Sequence, residues 1–211
     1  DFNAGVIVKL SNGLTATGLR TENVTAYLDG EEIDLSGTVL NDLTDRDPIA
    51  IAILLDLSGS LSGSEDLLAD ATSIFIDSLG YEEDGVIDRA ALYRFGSEID
   101  FANSQDFIDA DDAGKDALNA ALYGDFNESI SNSNIWGSAF RIGIEIGEEA
   151  IEDRRYMVLL TDGLDNPSDP TTSRTLEETI ELLNERAISA FPIGFGDVNP
   201  GPLQQLADET G

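Results

Sequence analysis

The sequence predicts an α/β fold: a doubly wound, mostly parallel sheet flanked by helices, with a small antiparallel β appendage at its N-terminal end. Three observations predict it. Residues 49–55 form an unbroken apolar run of strand length, the pattern of a central parallel strand covered on both faces. After it, short β-prone apolar segments alternate with stretches whose apolar residues fall at helical spacing, as in strand–helix–strand units. Before it, hairpin turn signals separate short β-prone runs.

Taken in order, residues 1–47 read as β-structure. Val6-Ile7-Val8-Lys9-Leu10 leads into Ser11-Asn12-Gly13, and Val24-Thr25-Ala26-Tyr27-Leu28 leads through Asp29-Gly30 into Glu31-Glu32-Ile33-Asp34. Asp47-Pro48 breaks the pattern, and a domain over residues 48–211 follows. Its first strand is 49–55. A helix is expected over 64–79, where Leu67, Leu68, Ala71, Ile74, Phe75 and Ser78 fall at helical spacing, with Ser64 as its cap and Gly80 as its stop. A strand at 89–95 turns at Gly96-Ser97 into a hairpin partner at 98–101. Helices at 113–123 and 135–150 precede a buried strand at 156–160. A helix at 176–186, capped by Thr175 or Ser173, a strand at 188–195 and a helix at 202–209 complete the pattern.

Composition narrows the function. The 211 residues include 41% hydrophobic residues, enough for a packed core. The 11 basic residues face 42 acidic ones, and the net charge is −31. Duplex nucleic acid needs clustered cations and is excluded as a partner on that ground, and anionic membranes are disfavoured likewise. Neither Cys nor His occurs, which removes disulfides, thiol chemistry, His-based triads and ordinary zinc sites. No apolar run is long enough to span a membrane, and no signal peptide is expected. The start at Asp1 without Met suggests a piece of a larger multidomain protein. So acidic a chain, with Lys9 and Lys115 its two lysines, fits a saline or calcium-rich medium. With divalent metal held constant, its melting temperature is expected to rise between low salt and about 1 M NaCl, where the screening length falls to roughly 3 Å. A flat or falling curve would remove the argument for such a medium.

In an open parallel sheet, ligands bind beyond the carboxyl ends of the strands, where strand order reverses. The polar residues there are Asp56-Leu57-Ser58-Gly59-Ser60 after the first strand and Thr161-Asp162-Gly163 after the 156–160 strand. Between them, Ser131-Asn132-Ser133-Asn134 precedes a helix. Each piece alone reads as a turn. Hard oxygen donors of this kind suit Mg²⁺, Ca²⁺ or Mn²⁺.

The ordered set Asp-x-Ser-x-Ser, a hydroxyl residue before a middle helix, and Thr-Asp-Gly resembles the metal-ion-dependent adhesion site of von Willebrand factor type A domains, a Rossmann-like fold. The likeness extends through Ala190-Phe191-Pro192-Ile193-Gly194 to Leu206-Ala207-Asp208-Glu209-Thr210-Gly211. The resemblance implies that Ser58 and Ser60 give hydroxyl oxygens to a divalent metal, while Asp56 and Asp162 hold it directly or through water. The family has Thr in the middle loop; here Ser133 is the best match and Ser131 the less favoured one. Three hydroxyls and two carboxylates would leave the metal electrophilic, with a position open to a partner's Glu or Asp carboxylate. The family also continues into a last strand and helix, which this chain is expected to lack.

Several other patterns fail. Asp109-Ala110-Asp111 opens like a calcium loop, but Ala113 and Ala120 occupy ligand positions. Gly194-Phe195-Gly196 lacks the third glycine of a dinucleotide fingerprint, and Gly114-Lys115 is followed by Asp116. Trp136 reads as packing, and Asp165, Asn166 and Asp169 as a solvated loop that shapes partner choice without touching metal affinity. The resemblance therefore implies an extracellular or cell-surface adhesion module, similar to those of bacterial surface adhesins, and not an enzyme. The alternative is an intracellular scaffold subunit of a chelatase or ATPase assembly.

Overall fold

The computed structural model describes residues 26–28, 31–33, 47–58, 65–79, 87–124, 132–162, 164–196 and 198–211. The chain divides into two compact units, Asp1–Arg46 and Asp47–Gly211. Within the first, strands β1 (Ala26–Leu28) and β2 (Glu31–Ile33) pair antiparallel, with Ala26 opposite Ile33, as the Asp29-Gly30 signal predicts. The expected hairpin around Asn12-Gly13 lies outside the described residues.

The second unit is built on β3 (Ile49–Asp56), β4 (Arg89–Phe95), β5 (Gln105–Asp109), β6 (Arg154–Thr161) and β7 (Ile188–Gly194). Their order across the sheet is β5-β4-β3-β6-β7, with only β5 antiparallel to its neighbour. The apolar run is thus the central strand, as predicted. Its alternate side chains divide between two cores. Ala50, Ala52 and Leu54 join the layer under α3 (Ile135–Glu149), α4 (Leu176–Glu185) and α5 (Pro200–Thr210). Ile51, Ile53 and Leu55 join the layer under α1 (Glu65–Asp77) and α2 (Asp112–Leu122). The strand period of two, sandwiched between helices, explains why no polar residue interrupts the run before Asp56.

The helix predictions hold to within two residues, while the Ser64 and Gly80 cap assignments lie outside the described residues. At α4, Thr175 is the cap: its hydroxyl accepts from Glu178 N at 3.1 Å, and Glu178 Oε2 accepts from Thr175 N at 2.8 Å, a reciprocal capping box. Thr175→Ala is expected to cost about 1 kcal/mol, roughly 2–4 °C in melting temperature for a domain of this size, read by thermal unfolding. An unchanged midpoint would show that the cap adds nothing.

One prediction needs correction. The partner of β4 is not 98–101 but β5, Gln105–Asp109. Only an isolated bridge, Phe95 to Ile99, forms at the turn. A single 3₁₀ turn at Phe101–Asn103 follows, with the Ser104 hydroxyl donating to Asp100 O at 2.6 Å, and this delays the return strand. Gly114 lets α2 cross the end of β5, since a Cβ there would lie 1.8 Å from the Asp109 carbonyl oxygen.

Candidate metal centre

The sheet order places the switch point at β3. The chain moves from β3 to β4 on one side, and β6 later joins the other. The carboxyl ends of β3 and β6 therefore face the same crevice. Asp56 ends β3 with no solvent exposure. Ser58 N donates to its Oδ1 at 3.0 Å, an Asx-type turn that folds the loop back over the carboxylate. The Ser133 hydroxyl donates to its Oδ2 at 2.5 Å, and the Thr161 hydroxyl to the same oxygen at 2.6 Å. Ser58 and Ser133 are themselves buried.

The structure thus brings Asp56, Ser58 and Ser133 together by hydrogen bonds. Asp162 follows Thr161 directly at the end of β6 and is half-buried. Ser60 and Ser131 lie outside the described residues. Trp136 is buried in the core, as expected for a packing residue.

Burial pushes the Asp56 carboxyl above its usual range, and the hydrogen bonds from Ser133, Thr161 and Ser58 oppose that shift. Among the described residues no Lys or Arg forms an ion pair with it. Asp165, close enough to raise its own pKa through repulsion from Asp56, is pushed up chiefly by burial. A buried carboxylate near a second one, with no cationic side chain, is costly when ionised. A cation fits this arrangement. Each hydroxyl that gives its proton to Asp56 keeps its lone pairs for a metal. Among the described residues no cluster of three or more His, Cys, Asp or Glu side chains could hold a metal, so the candidate centre rests on hydroxyl oxygens with a minority of carboxylates.

Two residues that the sequence reading left in a solvated loop hold the Ser133 loop and the start of α3 in place. Asn166 Oδ1 accepts from Ser133 N at 2.7 Å, and Asn166 N donates to Ser133 O at 2.8 Å. This two-way clamp fixes the loop that carries the Ser133 hydroxyl. Asp165 Oδ1 accepts from Trp136 N at 3.2 Å. It thereby caps α3 from a different loop, since the N-cap residue Asn134 makes no capping bond with its own side chain. The sequence carried Thr161 only as part of a motif, and its role as a donor to Asp56 comes from the geometry. Nothing in the sequence signals Asn166, because its partner lies 33 positions away.

Comparisons agree with this architecture. The family model described as von Willebrand factor type A domain matches residues 50–211. No curated protein matches in sequence. Among solved structures, a von Willebrand factor type A protein from Catenulispora acidiphila is similar at 20% identity and a TM-score of 0.59, covering 78% of this chain and 37% of that one. The PilB minor pilin from Streptococcus sanguinis is similar at 19% identity and a TM-score of 0.55, covering 79% and 55%. Manganese-loaded TRAP protein from Plasmodium vivax is similar at 17% identity and a TM-score of 0.54, covering 77% and 63%. The chain spans less than two thirds of each of these structures, and at such identities the likeness is one of fold. The matched family model, the five-stranded sheet order and the β3 and β6 loops meeting at Asp56 lead to one conclusion: the chain belongs to the von Willebrand factor type A domain family.

Proposed function

We propose that the chain is an extracellular or cell-surface interaction module that binds a protein ligand through a divalent cation, Mg²⁺, Ca²⁺ or Mn²⁺. Asp56, Ser58, Ser60, Ser133 and Asp162 would hold the ion. One observation carries the proposal: the ionisable Asp56 is fully buried with no cationic partner among the described residues, and hydroxyl groups converge on it. The ion would supply a positively charged point to which a partner's Glu or Asp carboxylate can attach. The manganese bound by the TRAP structure supports the metal. The PilB pilin and the SpaC pilus adhesin of Lactobacillus rhamnosus GG, which share the fold, support a surface setting. Among the described residues no helix is long and apolar enough to cross a membrane.

We assign binding and not catalysis. The chain has no His, and Ser58 stands where a phosphatase-type site would want Asp as a positioned acid–base or nucleophilic group. The test is capture of a partner from surface extracts in the presence of Mg²⁺ or Ca²⁺, repeated in EDTA and with Ser58→Ala. Binding should fall by about tenfold or more in both, since loss of one direct ligand weakens the ion and its removal abolishes the attachment point. A partner that persists in EDTA and on Ser58→Ala would refute the metal-bridged mechanism.

A further inference from the structure

The loop that leaves β6 beyond Asp162 alternates along its length. Leu164, Asn166 and Ser168 are exposed, while Asp165, Pro167 and Asp169 between them are half-buried. Both acidic residues of this stretch thus lie on its inner side, where their carboxylates meet backbone N–H groups. Asp165 Oδ1 accepts from Trp136 N at 3.2 Å, and Asp169 Oδ1 accepts from Thr171 N at 2.8 Å. The outward row is uncharged, in a chain whose net charge is −31. The loop is also held in place. Beyond the clamp between Asn166 and Ser133, the Ser168 hydroxyl accepts from Asn132 Nδ2 at 2.7 Å and shares a hydrogen bond with Ser97 Oγ at 3.2 Å. These bonds tie it to the segment before α3 and to the turn after β4. A loop fixed before a partner arrives costs less to order on binding.

On this loop Leu164 is 65% exposed. A lone exposed leucine is ordinary on a protein surface; its place on a clamped, uncharged loop beside the candidate ion is what gives it a use. Two positions after Asp162, its Cα lies within about 7 Å of the Cα of that residue. We propose that Leu164 selects the partner: an extended segment in which an aliphatic side chain stands two positions from the metal-bound carboxylate. This inference rests on the metal-bridged reading above. In an extended peptide, residues two apart point to the same face and lie about 7 Å apart, which matches the reach from Asp162 to Leu164. With the partner's Glu or Asp on the ion, its aliphatic side chain covers Leu164, and the exposed amide of Asn166 and hydroxyl of Ser168 face the peptide backbone. Glu98, exposed beside Ser97, is where a basic neighbour would pair instead.

The probes are acetyl-Leu-Ser-Glu-Ser-Leu-amide and its Ala-Ser-Glu-Ser-Ala and Lys-Ser-Glu-Ser-Lys counterparts. Each is titrated to millimolar concentration into the ¹⁵N-labelled full chain with saturating Mg²⁺, and again in EDTA, in about 0.5 M NaCl to screen the chain's general charge. The leucine peptide is expected to bind about tenfold more tightly than the alanine one, the scale of partly burying a leucine side chain, with saturable amide shifts at residues 164–168. In Leu164→Ser that preference should disappear, while Mg²⁺ affinity by isothermal titration stays that of the parent chain. Absence of saturable binding, equal affinity for the leucine and alanine peptides, a preference unchanged in Leu164→Ser, or tightest binding of the lysine peptide would overturn the proposal. The two readings fail separately. Binding that needs Mg²⁺ but shows no leucine preference would remove this contact and leave the metal bridge standing. A leucine preference that needs Leu164 yet survives EDTA would refute the bridge and leave the contact standing without it.

Discussion

Mg²⁺ or Ca²⁺ at about a hundred times its dissociation constant is expected to stabilise the chain by roughly 2.7 kcal/mol, on the order of 5–10 °C in melting temperature. The gain arises because only the folded chain assembles Asp56 at the end of β3 with the Ser133 hydroxyl, 77 positions away. In Asp56→Ala that increment should vanish. The comparison must be made within each variant, with metal against EDTA. Removing Asp56 alters the metal-free fold in two opposite ways: it relieves a buried carboxylate and strands the Ser133 and Thr161 hydroxyls. With 42 acidic residues in the chain, calcium can also associate away from Asp56, so an undiminished increment in Asp56→Ala would place the stabilising ion outside this centre.

Asn166→Ala is expected to weaken divalent binding by about 10- to 100-fold, the usual effect of removing a group that orients a metal's ligands. Asn166 is no ligand itself. Its amide oxygen holds the Ser133 backbone N–H at 2.7 Å, and without that bond the Ser133 loop loses one half of its clamp, the Asn166 N–H to Ser133 O bond remaining. Asn166→Asp keeps an acceptor at the same place and should retain most of the affinity. Isothermal titration with Mg²⁺ or Mn²⁺ separates the two substitutions. Equal affinity in Asn166→Ala and the parent chain would mean that the loop is held without this clamp, as the solvated-loop expectation would have it.

Much of the fold was legible because its signals are local. The 49–55 run reads as a central strand since both of its faces are covered, and Thr175-x-x-Glu178 is a capping box visible in four residues. The displaced β5 was not legible: Gln105–Asp109 buries only Phe107, so an edge strand of mixed polarity gives no strong alternation to read. The end of α4 was legible to within one residue, although its usual marker is absent. Ala187 takes the left-handed conformation, with φ of 52°, where a glycine would have announced the stop. At the candidate metal centre, Asp56, Ser58 and Ser133 could be picked out because a resemblance supplied their order. Asn166 and Asp165 could not. They act through backbone N–H groups of a distant loop, and a backbone donor leaves no trace in the identity of the residue that carries it.

The two outer strands of the sheet bear on how the chain behaves when many copies are crowded together. Pro192 sits within β7, yet the ladder to β6 runs unbroken from Arg155 opposite Ile188 to Thr161 opposite Gly194. Its ring nitrogen therefore faces away from the sheet, where no ladder bond is lost, and the outward edge of β7 lacks a donor at its middle. At the other margin β5 is only five residues long and exposes Asp106 and Asp109. Neither margin is a good template for a further strand. Although Phe191 and Ile193 are half exposed on β7, neighbouring copies would meet an interrupted edge on one side and a negatively charged one on the other. Among the described strands, neither margin therefore favours edge-to-edge pairing between crowded copies of this chain.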